Sequence, residues 1–470
     1  MSEVRTASFG LIGLGVMGRN LAANLFTQGL AIQTYSYGAE ERSAVAAEFA
    51  GLPIKDDLDE FLQALAQPRT IMLMVTAGAA VDEVLDDLLP RLEVGDTIID
   101  GGNSLYLDSE RRVGFCADRG VHFIGAGISG GEEGARHGAS IMVGGDLERF
   151  QRVEPMIAAL ATNVGEASCH GYLGRGGAGH FVKMVHNGIE YGFMQLIAEV
   201  YEFMRLGMGL STQDIQLWFE RQKGGPLDSY LMDITARVMS KQDDLGSGLL
   251  LEKISDQAAQ KGTGRWCVEA SLDYGVPLPV AGAAVAARQL SNLVDTRADM
   301  ATAYELQDSK IDTSEDWQSL LADALYGGVV TAFAEGLALI SQASSANDWG
   351  TDVNTALKLW RGGCIIRAAM LDDMLAARNG RANDEHLLVA PEIARRVSGC
   401  VPAWQHVTAA ATSAGIAMPA MSAALNYVTA LSAGQLPTNL IQAQRDYFGA
   451  HTYERTDQSG TFHTQWEAKE

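Results

Sequence analysis

The chain has 470 residues, which is more than one hydrophobic core usually serves, so two or three domains are expected. Its 35 Lys and Arg residues stand against 58 Asp and Glu residues, and the net charge of -23 argues against a nucleic-acid or anionic-membrane partner. Any site for an anionic ligand therefore needs a local cluster of cations. The five cysteines are scattered and include no C-x-x-C pair, which suits a reducing cytoplasm and offers no metal framework.

Neither terminus carries an obvious membrane segment. No long apolar run precedes Phe9, so no signal peptide is visible and a cytoplasmic location is expected. Residues 407–444 contain no charge and deserve comparison with a membrane span. They are mostly Ala, Ser, Thr and Gly, with Pro419 and Pro437 among them, which is less apolar than a spanning helix requires. Buried helices of a large domain are expected there.

A glycine motif near the N-terminus predicts dinucleotide binding. Residues 8–12 have the pattern of a strand, and the motif Gly13-Leu-Gly-Val-Met-Gly18 follows them and opens a helical pattern that runs to Gln28. Glycines at this spacing let the backbone approach a pyrophosphate that lies on the helix N-terminus. A tight glycine turn without a ligand is the alternative.

Further strands alternate with helices, as in a parallel sheet. Such sheets bind ligands at the carboxyl ends of their strands. Two glycine-rich loops at these ends, residues 100–104 and 125–131, suit the binding of a small oxyanion through backbone N–H groups, with ordinary turns as the alternative. The predicted strands are residues 31–37, 70–75, 97–100, 121–125 and 141–144.

The strand pattern stops after the glycine-rich stretch 171–179, which marks a second domain. We predict an α/β, Rossmann-type domain over residues 1–178, a large all-helical domain over 179–434 and a C-terminal tail over 435–470. A weak internal repeat with an offset of 142 residues maps Leu217-Trp218 onto Leu359-Trp360. The helical domain is therefore expected to contain a duplication.

One helix of this domain carries a polar stripe on an otherwise apolar surface. Polar side chains recur at i, i+3, i+4, i+7 and i+8, and apolar ones cover the rest. Buried charges cost several kcal/mol per ion unless they are paired or neutralised, and seven residues of helix, about 10.5 Å, separate Lys183 from Glu190. A ligand along the stripe is therefore expected, and a polar seam against another helix is the alternative. The stripe consists of Lys183, His186, Asn187, Glu190 and Tyr191.

The second copy of the repeat lacks these polar residues. Leu325, Gly328, Val329 and Ala332 stand at the positions of Lys183, His186, Asn187 and Glu190. This difference favours chemistry in the first copy and a scaffold role for the second.

Two cationic positions predict a site for an anion. Lys261 and Thr263 alternate with glycines within residues 254–266, so an ammonium, a hydroxyl and backbone N–H groups are available to one ligand. Taken alone, such a stretch is more often a plain turn. Arg288 lies in the otherwise uncharged helical segment 276–293, where an unpaired guanidinium would be costly, so it favours an anionic partner.

The C-terminal residues 445–457 and 460–466 combine aromatic side chains with many polar ones and glycines. They are too polar to form a core and too aromatic for a typical disordered tail. An arm that docks on another surface is expected.

In combination, these motifs resemble those of the 6-phosphogluconate dehydrogenase (decarboxylating) family over essentially the whole chain. Residues 127–138, 254–266, 360–367 and 445–453 carry the resemblance beside the glycine motif. The resemblance implies oxidation of 6-phosphogluconate at C3 by NADP or NAD and loss of CO2 to give ribulose 5-phosphate, in the pentose phosphate pathway. It also implies a homodimer, formed through the helical domain and a tail that crosses into the second subunit.

The resemblance also implies roles for individual residues. Lys183 would take the proton of the 3-hydroxyl and then assist decarboxylation as an acid, and Glu190 would protonate C1 of the enediol. The residues implied to hold the sugar acid are Asn103, Ser129, Gly130, Gly131, His186 and Asn187. Those implied to hold the phosphate are Tyr191, Lys261, Thr263 and Arg288, together with Arg445 and His451 from the partner's tail. Those implied to bind the cofactor are Gly13, Gly15, Val16, Met17, Gly18, Ser36, Tyr37, Gly38, Val75, Thr76 and Asn103.

The loop after the second strand departs from the family pattern. The family usually has Asn-Arg-Thr there, and its Arg holds the 2'-phosphate of NADP; this chain has Ser36-Tyr37-Gly38, with Glu40 and Glu41 following. A carboxylate ~5 Å from that phosphate would cost on the order of 3 kcal/mol at an effective dielectric near 20. The acidic residue expected at the strand end for NAD is also missing. We predict weakened selectivity for NADP, with NAD preference as one outcome.

Two other functions fit the same motifs less well. One is the same chemistry on a gluconate with another anionic group at C6. The other is a catalytically silent dinucleotide-binding protein, which the joint presence of Lys183 and Glu190 disfavours. Three further departures from the family pattern, at Ala139, Val143 and Phe193, carry no interpretation from the sequence.

Overall fold

A computed structural model describes residues 7–304 and 310–467. They form two compact units that divide between Ala424 and Leu425. The signal-peptide prediction concerns residues 1–6, which lie outside the described ranges.

Strands and helices alternate through the N-terminal half. The strands are β1 (Phe9–Ile12), β2 (Ile32–Tyr35), β3 (Ile54–Lys55), β4 (Thr70–Leu73), β5 (Thr97–Asp100), β6 (His122–Ser129), β7 (Ser140–Gly144), β8 (Asn163–Val164), β9 (Ala167–Ser168) and β10 (His170–Gly174). The helices are α1 (Val16–Thr27), α2 (Ala39–Glu48), α3 (Leu58–Gln63), α4 (Ala79–Leu88), α5 (Tyr106–Ala117), α6 (Gly131–His137) and α7 (Leu147–Leu160).

Eight of these strands form one sheet in the order β10-β7-β6-β5-β4-β1-β2-β3. The strands from β3 to β6 are parallel, whereas β7 runs antiparallel to β6. Strands β1 and β5 are buried along their whole length, as expected for a parallel sheet covered by helices on both faces. Their carboxyl ends point to the edge where the glycine motif, Gly13 to Gly18, begins helix α1.

The α/β prediction is confirmed, with three corrections. The strand predicted over residues 141–144 exists, but it is antiparallel to its neighbour β6. Residues 125–129, predicted as a loop, continue β6. The strands β3 and β10 were not predicted, because β3 has two residues and glycines interrupt β10.

Helices form nearly all of the regular secondary structure that is described between Ala178 and Gly449. They are α8 (Ala178–Glu202), α9 (Thr212–Glu220), α10 (Tyr230–Ser240), α11 (Thr263–Asp273), α12 (Pro279–Ser291), α13 (Val294–Tyr304), α14 (Trp317–Ala346), α15 (Val353–Leu359), α16 (Met370–Arg378), α17 (Pro391–Ser413), α18 (Pro419–Ser432) and α19 (Thr438–Gly449). A π-helical turn, Phe203–Gly207, extends α8.

The two longest helices, α8 and α14, are the matching members of the internal repeat. Glycines let them approach closely, since a Cβ on Gly336 would stand 2.6 Å from Ile189 and one on Gly192 would stand 3.5 Å from Ala332. The contact positions run in opposite directions along the two helices, so the pair is antiparallel. Leu325, Val329 and Ala332, which replace the polar stripe, are buried apolar residues in α14.

A buried glutamate of each long helix caps a helix of the other copy. Glu199 of α8 accepts hydrogen bonds of 2.8 Å from the backbone N–H groups of Ala420 and Met421, at the start of α18. Glu335 of α14 accepts from the N–H of Val280, at the start of α12. The first turn of a helix has unpaired N–H groups, which explains why a carboxylate is tolerated in each apolar environment.

Burial nevertheless raises the pKa of Glu199 from 4.5 to about 7, although the hydrogen bonds from Ala420, Met421 and Gln195 lower it. The stability that a raised carboxyl pKa contributes is complete below pH 4.5 and is lost as the pH rises through about 7. Glu199→Gln removes this titration. On raising the pH from about 5 to about 8.5, we expect the variant to gain about 2 kcal/mol over the wild type in urea unfolding.

The matched control is Glu202→Gln, at the exposed end of the same helix, where the carboxylate pairs with Arg205. It should follow the wild type at both pH values. Parallel pH profiles for Glu199→Gln and the wild type would show that Glu199 stays ionised in the folded chain.

One helix among the described residues, α14, is long and apolar enough to cross a membrane by length and composition. Its most apolar window is 89% buried inside the protein, as in the core helix of a large domain. The charge-free stretch 407–444, expected to form buried helices and not a membrane span, is divided among α17, α18 and α19.

The second unit, residues 425–470, contains α19 and a short hairpin of β11 (Tyr453–Glu454) and β12 (Thr461–Phe462). Its centre is the fully buried Asp446, which accepts hydrogen bonds from the backbone of Thr452 and Thr464 and from the side chains of His463 and Trp466. The tail therefore has a small polar centre of its own, which its composition did not predict.

Candidate active site

The polar stripe of α8 is buried, as the sequence predicts, except at Glu190, which is partly exposed. Lys183 is 7% exposed and His186 is fully buried. The Nζ of Lys183 donates to Oδ1 of Asn187 at 2.7 Å and lies 3.5 Å from Nδ1 of His186. Lys183 and Glu190 form no ion pair, as expected from their separation along the helix, so the ammonium has no carboxylate partner among the described residues.

His186 joins the helix to the end of strand β6. Its Nε2 lies 3.1 Å from Oγ of Ser129, the last residue of β6. Its Nδ1 is 3.8 Å from a carboxylate oxygen of Glu190, but burial and the nearby Lys183 hold the pKa of His186 well below 6.5. The ring is therefore neutral near pH 7 and makes no ion pair with Glu190.

Burial shifts the pKa values of Lys183 and Glu190 in the directions that favour their neutral forms. It lowers the pKa of Lys183 from 10.5, opposed by the charge of Glu190 and by Cys364. It raises the pKa of Glu190 from 4.5, opposed by Lys183 and Arg288. An amine that loses its proton easily and a carboxyl group that keeps it are a base and an acid suited to work near neutral pH.

Glycines in β6 let α8 lie directly on the sheet. A Cβ on Gly127 would stand 2.3 Å from Cβ of Lys183, and one on Gly125 would stand 2.8 Å from Nδ1 of His180. Gly179 in the first turn of α8 is equally close to the backbone of Gly144 in β7. The glycines predicted to offer N–H groups to an oxyanion thus serve close packing, because strand pairing uses the backbone of residues 125–129.

We expect Gly127→Ala to destabilise the protein by about 1–3 kcal/mol, because the added methyl group overlaps the Lys183 side chain. Urea unfolding measures the loss. The control is Gly282→Ala in α12, where a Cβ meets nothing within 4 Å, so the change should be neutral or stabilising. Equal effects of the two substitutions would contradict the close contact.

Asn103 is held by a loop with a buried salt bridge at its base. Oδ1 of Asp100 accepts from the N–H of Gly102 at 3.0 Å, and Oδ2 accepts from the hydroxyl of Ser104 at 2.7 Å and lies 3.4 Å from the fully buried Arg112. Two of the N–H groups predicted to bind an oxyanion here are engaged within the protein, since Gly101 donates to Leu73 and Gly102 to Asp100. The side chain of Asn103 remains as the polar group that faces the cavity.

A cavity of about 870 Å³ connects the glycine motif with the stripe. From the sheet, the glycine motif and the ends of β4 and β5 line it; from the helical part, α8, α11, α12 and the segment before α11 do. The predicted site residues that line it are Gly15, Val16, Met17, Gly18, Val75, Thr76, Asn103, Asn187, Glu190, Tyr191, Lys261, Thr263 and Arg288. Sequence reasoning did not assign Met74, Ala77, Ile128, Ala259, Gln260 and Trp266, which also line it and carry no ionisable group.

The predicted cations gather at the helical end of this cavity. The guanidinium of Arg288 lies 3.5 Å above the ring of Tyr191, and no carboxylate pairs with it among the described residues. Lys261 is exposed and precedes α11, so the helix N-terminus adds unpaired N–H groups. Thr263 and Gly264 belong to that helix rather than to a loop, and Gly264 is a glycine because the Tyr191 ring packs against it.

Other predicted site residues lie outside the cavity lining. Lys183, His186 and Ser129 belong to the hydrogen-bond network that ends at Asn187. Gly130 precedes α6, and Gly131 is its first residue. Gly13 adopts φ +97° in the turn after β1, where a Cβ would meet the backbone of Met74 at 2.6 Å. Arg445, bonded to Gln442, and His451, packed on Phe448, belong to the second unit.

The loop after β2 has no free cation among its described residues. Tyr37, where the family usually has Arg, donates its hydroxyl to Asp87 at 2.8 Å, and Gly38 precedes α2. Ser36 donates its hydroxyl to the carboxylate of Glu41. An acidic group therefore does stand at the strand end, contrary to the sequence prediction, because the first turn of α2 folds Glu41 back over it.

A Rossmann-type sheet, a glycine turn at the start of α1 and a cavity that runs from this turn to the polar stripe of α8 are the features of a nicotinamide-dinucleotide oxidoreductase. Two family models match the chain: "NAD binding domain of 6-phosphogluconate dehydrogenase" over residues 8–174, and "6-phosphogluconate dehydrogenase, C-terminal domain" over residues 179–466. This chain belongs to the 6-phosphogluconate dehydrogenase family.

Relatives with known names agree over their whole length. The decarboxylating 6-phosphogluconate dehydrogenase of Synechococcus elongatus is 45% identical over 97% of this chain and 99% of its own. Two Bacillus subtilis relatives are 41% identical: one, named NAD(+)-dependent, covers 98% of this chain and 99% of its own, and the other, named NADP(+)-dependent, covers 97% and 98%. Overall identity therefore does not separate the two cofactors.

A solved structure shares the fold closely. Plasmodium falciparum 6-phosphogluconate dehydrogenase matches with a TM-score of 0.95 and 38% identity, over 98% of this chain and 100% of that chain. It was solved in its apo form, with NADP+ and with 6-phosphogluconate.

Proposed function

We propose that this protein oxidises 6-phosphogluconate at C3 and releases CO2 to give ribulose 5-phosphate, as a cytoplasmic homodimer of the pentose phosphate pathway. The family assignment supports the reaction. The observation that carries its mechanism is the buried Lys183, which has no carboxylate partner in the described part of the chain and lies one helical turn from Asn187 on the cavity wall.

The glycine motif fits a dinucleotide. Gly15 and Gly18 line the cavity, and a Cβ at Gly18 would stand 2.0 Å from the carbonyl oxygen of Gly13, so the turn requires a glycine there. Val75 and Thr76 continue this lining towards the stripe. When bound, NAD or NADP supplies the hydride acceptor for C3.

Lys183 is the base for the oxidation. Burial favours its neutral amine, which takes the proton of the 3-hydroxyl as the C3 hydrogen leaves as hydride. The resulting ammonium then donates to the 3-keto oxygen while the C1 carboxylate leaves as CO2, which produces an enediol. Asn187 orients the amine throughout, since its Oδ1 accepts from Nζ.

Glu190 is the acid for the last step. Its raised pKa keeps the carboxyl group protonated at a higher pH than an exposed glutamate allows. It is therefore able to donate a proton to C1 of the five-carbon enediol, the carbon that was C2 before CO2 left. Two turns of α8 separate Glu190 from Lys183, which lets the two groups act on different carbons of one substrate.

The far end of the cavity suits the substrate phosphate. Lys261, Arg288, Thr263 and the N-terminus of α11 provide charge and donors there. Arg445 and His451 of the partner subunit complete this set in our proposal, which requires the homodimer. Asn103, Ser129, Gly130, Gly131, His186, Asn187 and Tyr191 would hold the rest of the sugar acid.

We expect Lys183→Ala to lower the rate of NADH or NADPH formation by about 10²–10⁴-fold, because proton removal from the 3-hydroxyl loses its base. Absorbance at 340 nm measures the reduced cofactor, and the CO2 released is measured separately. The exposed Lys241, which pairs with Asp244, provides the control Lys241→Ala, with an unchanged rate. Wild-type turnover in Lys183→Ala would remove Lys183 from the mechanism.

We expect Glu190→Ala to retain hydride transfer but to protonate C1 poorly. In D2O, the wild type should place one deuterium at C1 of ribulose 5-phosphate with a single stereochemistry, and the variant should lose that selectivity. NMR of the product distinguishes the two outcomes. Stereospecific labelling by Glu190→Ala would assign the proton to another group.

The pH profile tests the electrostatic coupling between the two groups. Because Lys183 acts as a base, kcat/KM should rise with pH through its lowered pKa. In the free enzyme with Glu190 ionised, its carboxylate raises that pKa, so Glu190→Gln should move the rising limb to lower pH. Glu199→Gln, on the same helix but not among the charges that act on Lys183, should leave the limb in place. No displacement in Glu190→Gln would mean that the limb reports another group.

A further inference from the structure

The carboxylate of Glu41 lies where the second strand meets the glycine motif. Strand β2 ends at Tyr35, and the hydroxyl of the next residue, Ser36, donates to Oε2 of Glu41. The other oxygen of the same carboxylate stands 3.7 Å from the position that a Cβ on Gly15 would occupy. The hydrogen bond from Ser36 and this short distance place the carboxylate between the strand end and the middle glycine of the motif.

This location has a chemical meaning in a dinucleotide-binding sheet. The pyrophosphate lies on the glycine turn, and the adenosine ribose lies beside it at the end of the second strand. A carboxylate there accepts hydrogen bonds from the ribose hydroxyls of NAD, whereas a 2'-phosphate requires a cation. Glu41 is an acceptor with no hydrogen to donate, so it suits a hydroxyl and opposes a phosphate.

Arg42, the next cation along the chain, is already engaged. Arg42 donates from Nη1 to the carbonyl oxygens of Ser36 and Tyr37, at 2.5 and 3.3 Å, and from Nε to Asp56 at 3.2 Å. Its guanidinium also lies 5.8 Å from the centre of the Tyr35 ring. To reach a 2'-phosphate, Arg42 would give up these contacts, which brace the loop that carries Ser36.

We propose that Glu41 determines the cofactor selectivity of this protein, by binding the 2'-hydroxyl of the NAD adenosine ribose and repelling the 2'-phosphate of NADP. Ser36 is a positioning residue that orients the carboxylate. This assignment rests on the proposed use of a nicotinamide dinucleotide and not on the identity of the second substrate. The sequence predicted weakened selectivity for NADP with NAD preference as one outcome, and Glu41 is the residue that would cause that preference.

Direct binding tests the assignment without any turnover. Calorimetric titration of the full-length protein with NADH and with NADPH yields the dissociation constant of each, for the wild type and for Glu41→Gln. The wild type should bind NADH more tightly. The substitution should change the ratio of the two constants by about 10- to 100-fold in favour of NADPH, because one charge repulsion near the phosphate is removed and is partly screened by salt.

Glu40→Gln is the matched control. Glu40 precedes Glu41 in the same helical turn and is exposed, so this variant removes the same charge without the contacts to Ser36 and to the glycine motif. Its ratio of dissociation constants should stay within about threefold of the wild type, as expected for a screened surface charge. Equal shifts in Glu40→Gln and Glu41→Gln would overturn the assignment, since only general electrostatics would then act.

Two further results bear on the same assignment. Ser36→Ala should weaken NADH binding less than Glu41→Gln and should have no additional effect when combined with it, because Ser36 acts through Glu41. Tighter binding of NADPH than NADH by the wild type would overturn the proposal. Failure of the proposed function shows separately, as normal NADH binding without CO2 release from 6-phosphogluconate.

Discussion

The contact between α8 and strand β6 is the constraint on which the rest of the site depends. Without side chains at Gly125, Gly127 and Gly179, the helix lies against the sheet closely enough to exclude water from Lys183. Burial favours the neutral amine. Asn187 and His186 give it polar contacts without a negative charge that would stabilise the ammonium form. One packing contact thus creates both the position and the basicity of Lys183.

The duplication of the helical part explains how this contact is supported. Helix α14 packs antiparallel on α8 with apolar residues at the positions of the stripe, so it contributes a surface and no chemistry. The buried Phe193, at a position where the family usually has Asp, adds to the apolar side of α8. Glu199 of α8 caps α18 and Glu335 of α14 caps α12, so each long helix holds a helix that follows the other one, and the two costly carboxylates lie outside the cavity lining.

The cofactor end shows a different relation between residue and role. The departure at Ser36, Tyr37 and Gly38 was visible in the sequence, and it correctly indicated the absence of an Arg there. The position of Glu41 was not, because a carboxylate five residues beyond Ser36 reaches the strand end only through the turn that begins α2. Arg42 is the nearest cation along the chain, yet backbone carbonyls and Asp56 occupy it.

The sequence by itself determined the α/β and helical halves and the buried helix with its polar stripe, because periodicity and glycine spacing are local properties. The family resemblance added many, though not all, of the residues that line one cavity. It did not determine why residues 125–129 are rich in glycine or that β7 reverses direction, since both follow from contacts between segments distant in the chain. Nor did it reveal the caps at α12 and α18 or the polar centre at Asp446. Only the tertiary structure decides which groups share a dry environment, and that environment sets the protonation of Lys183 and Glu190.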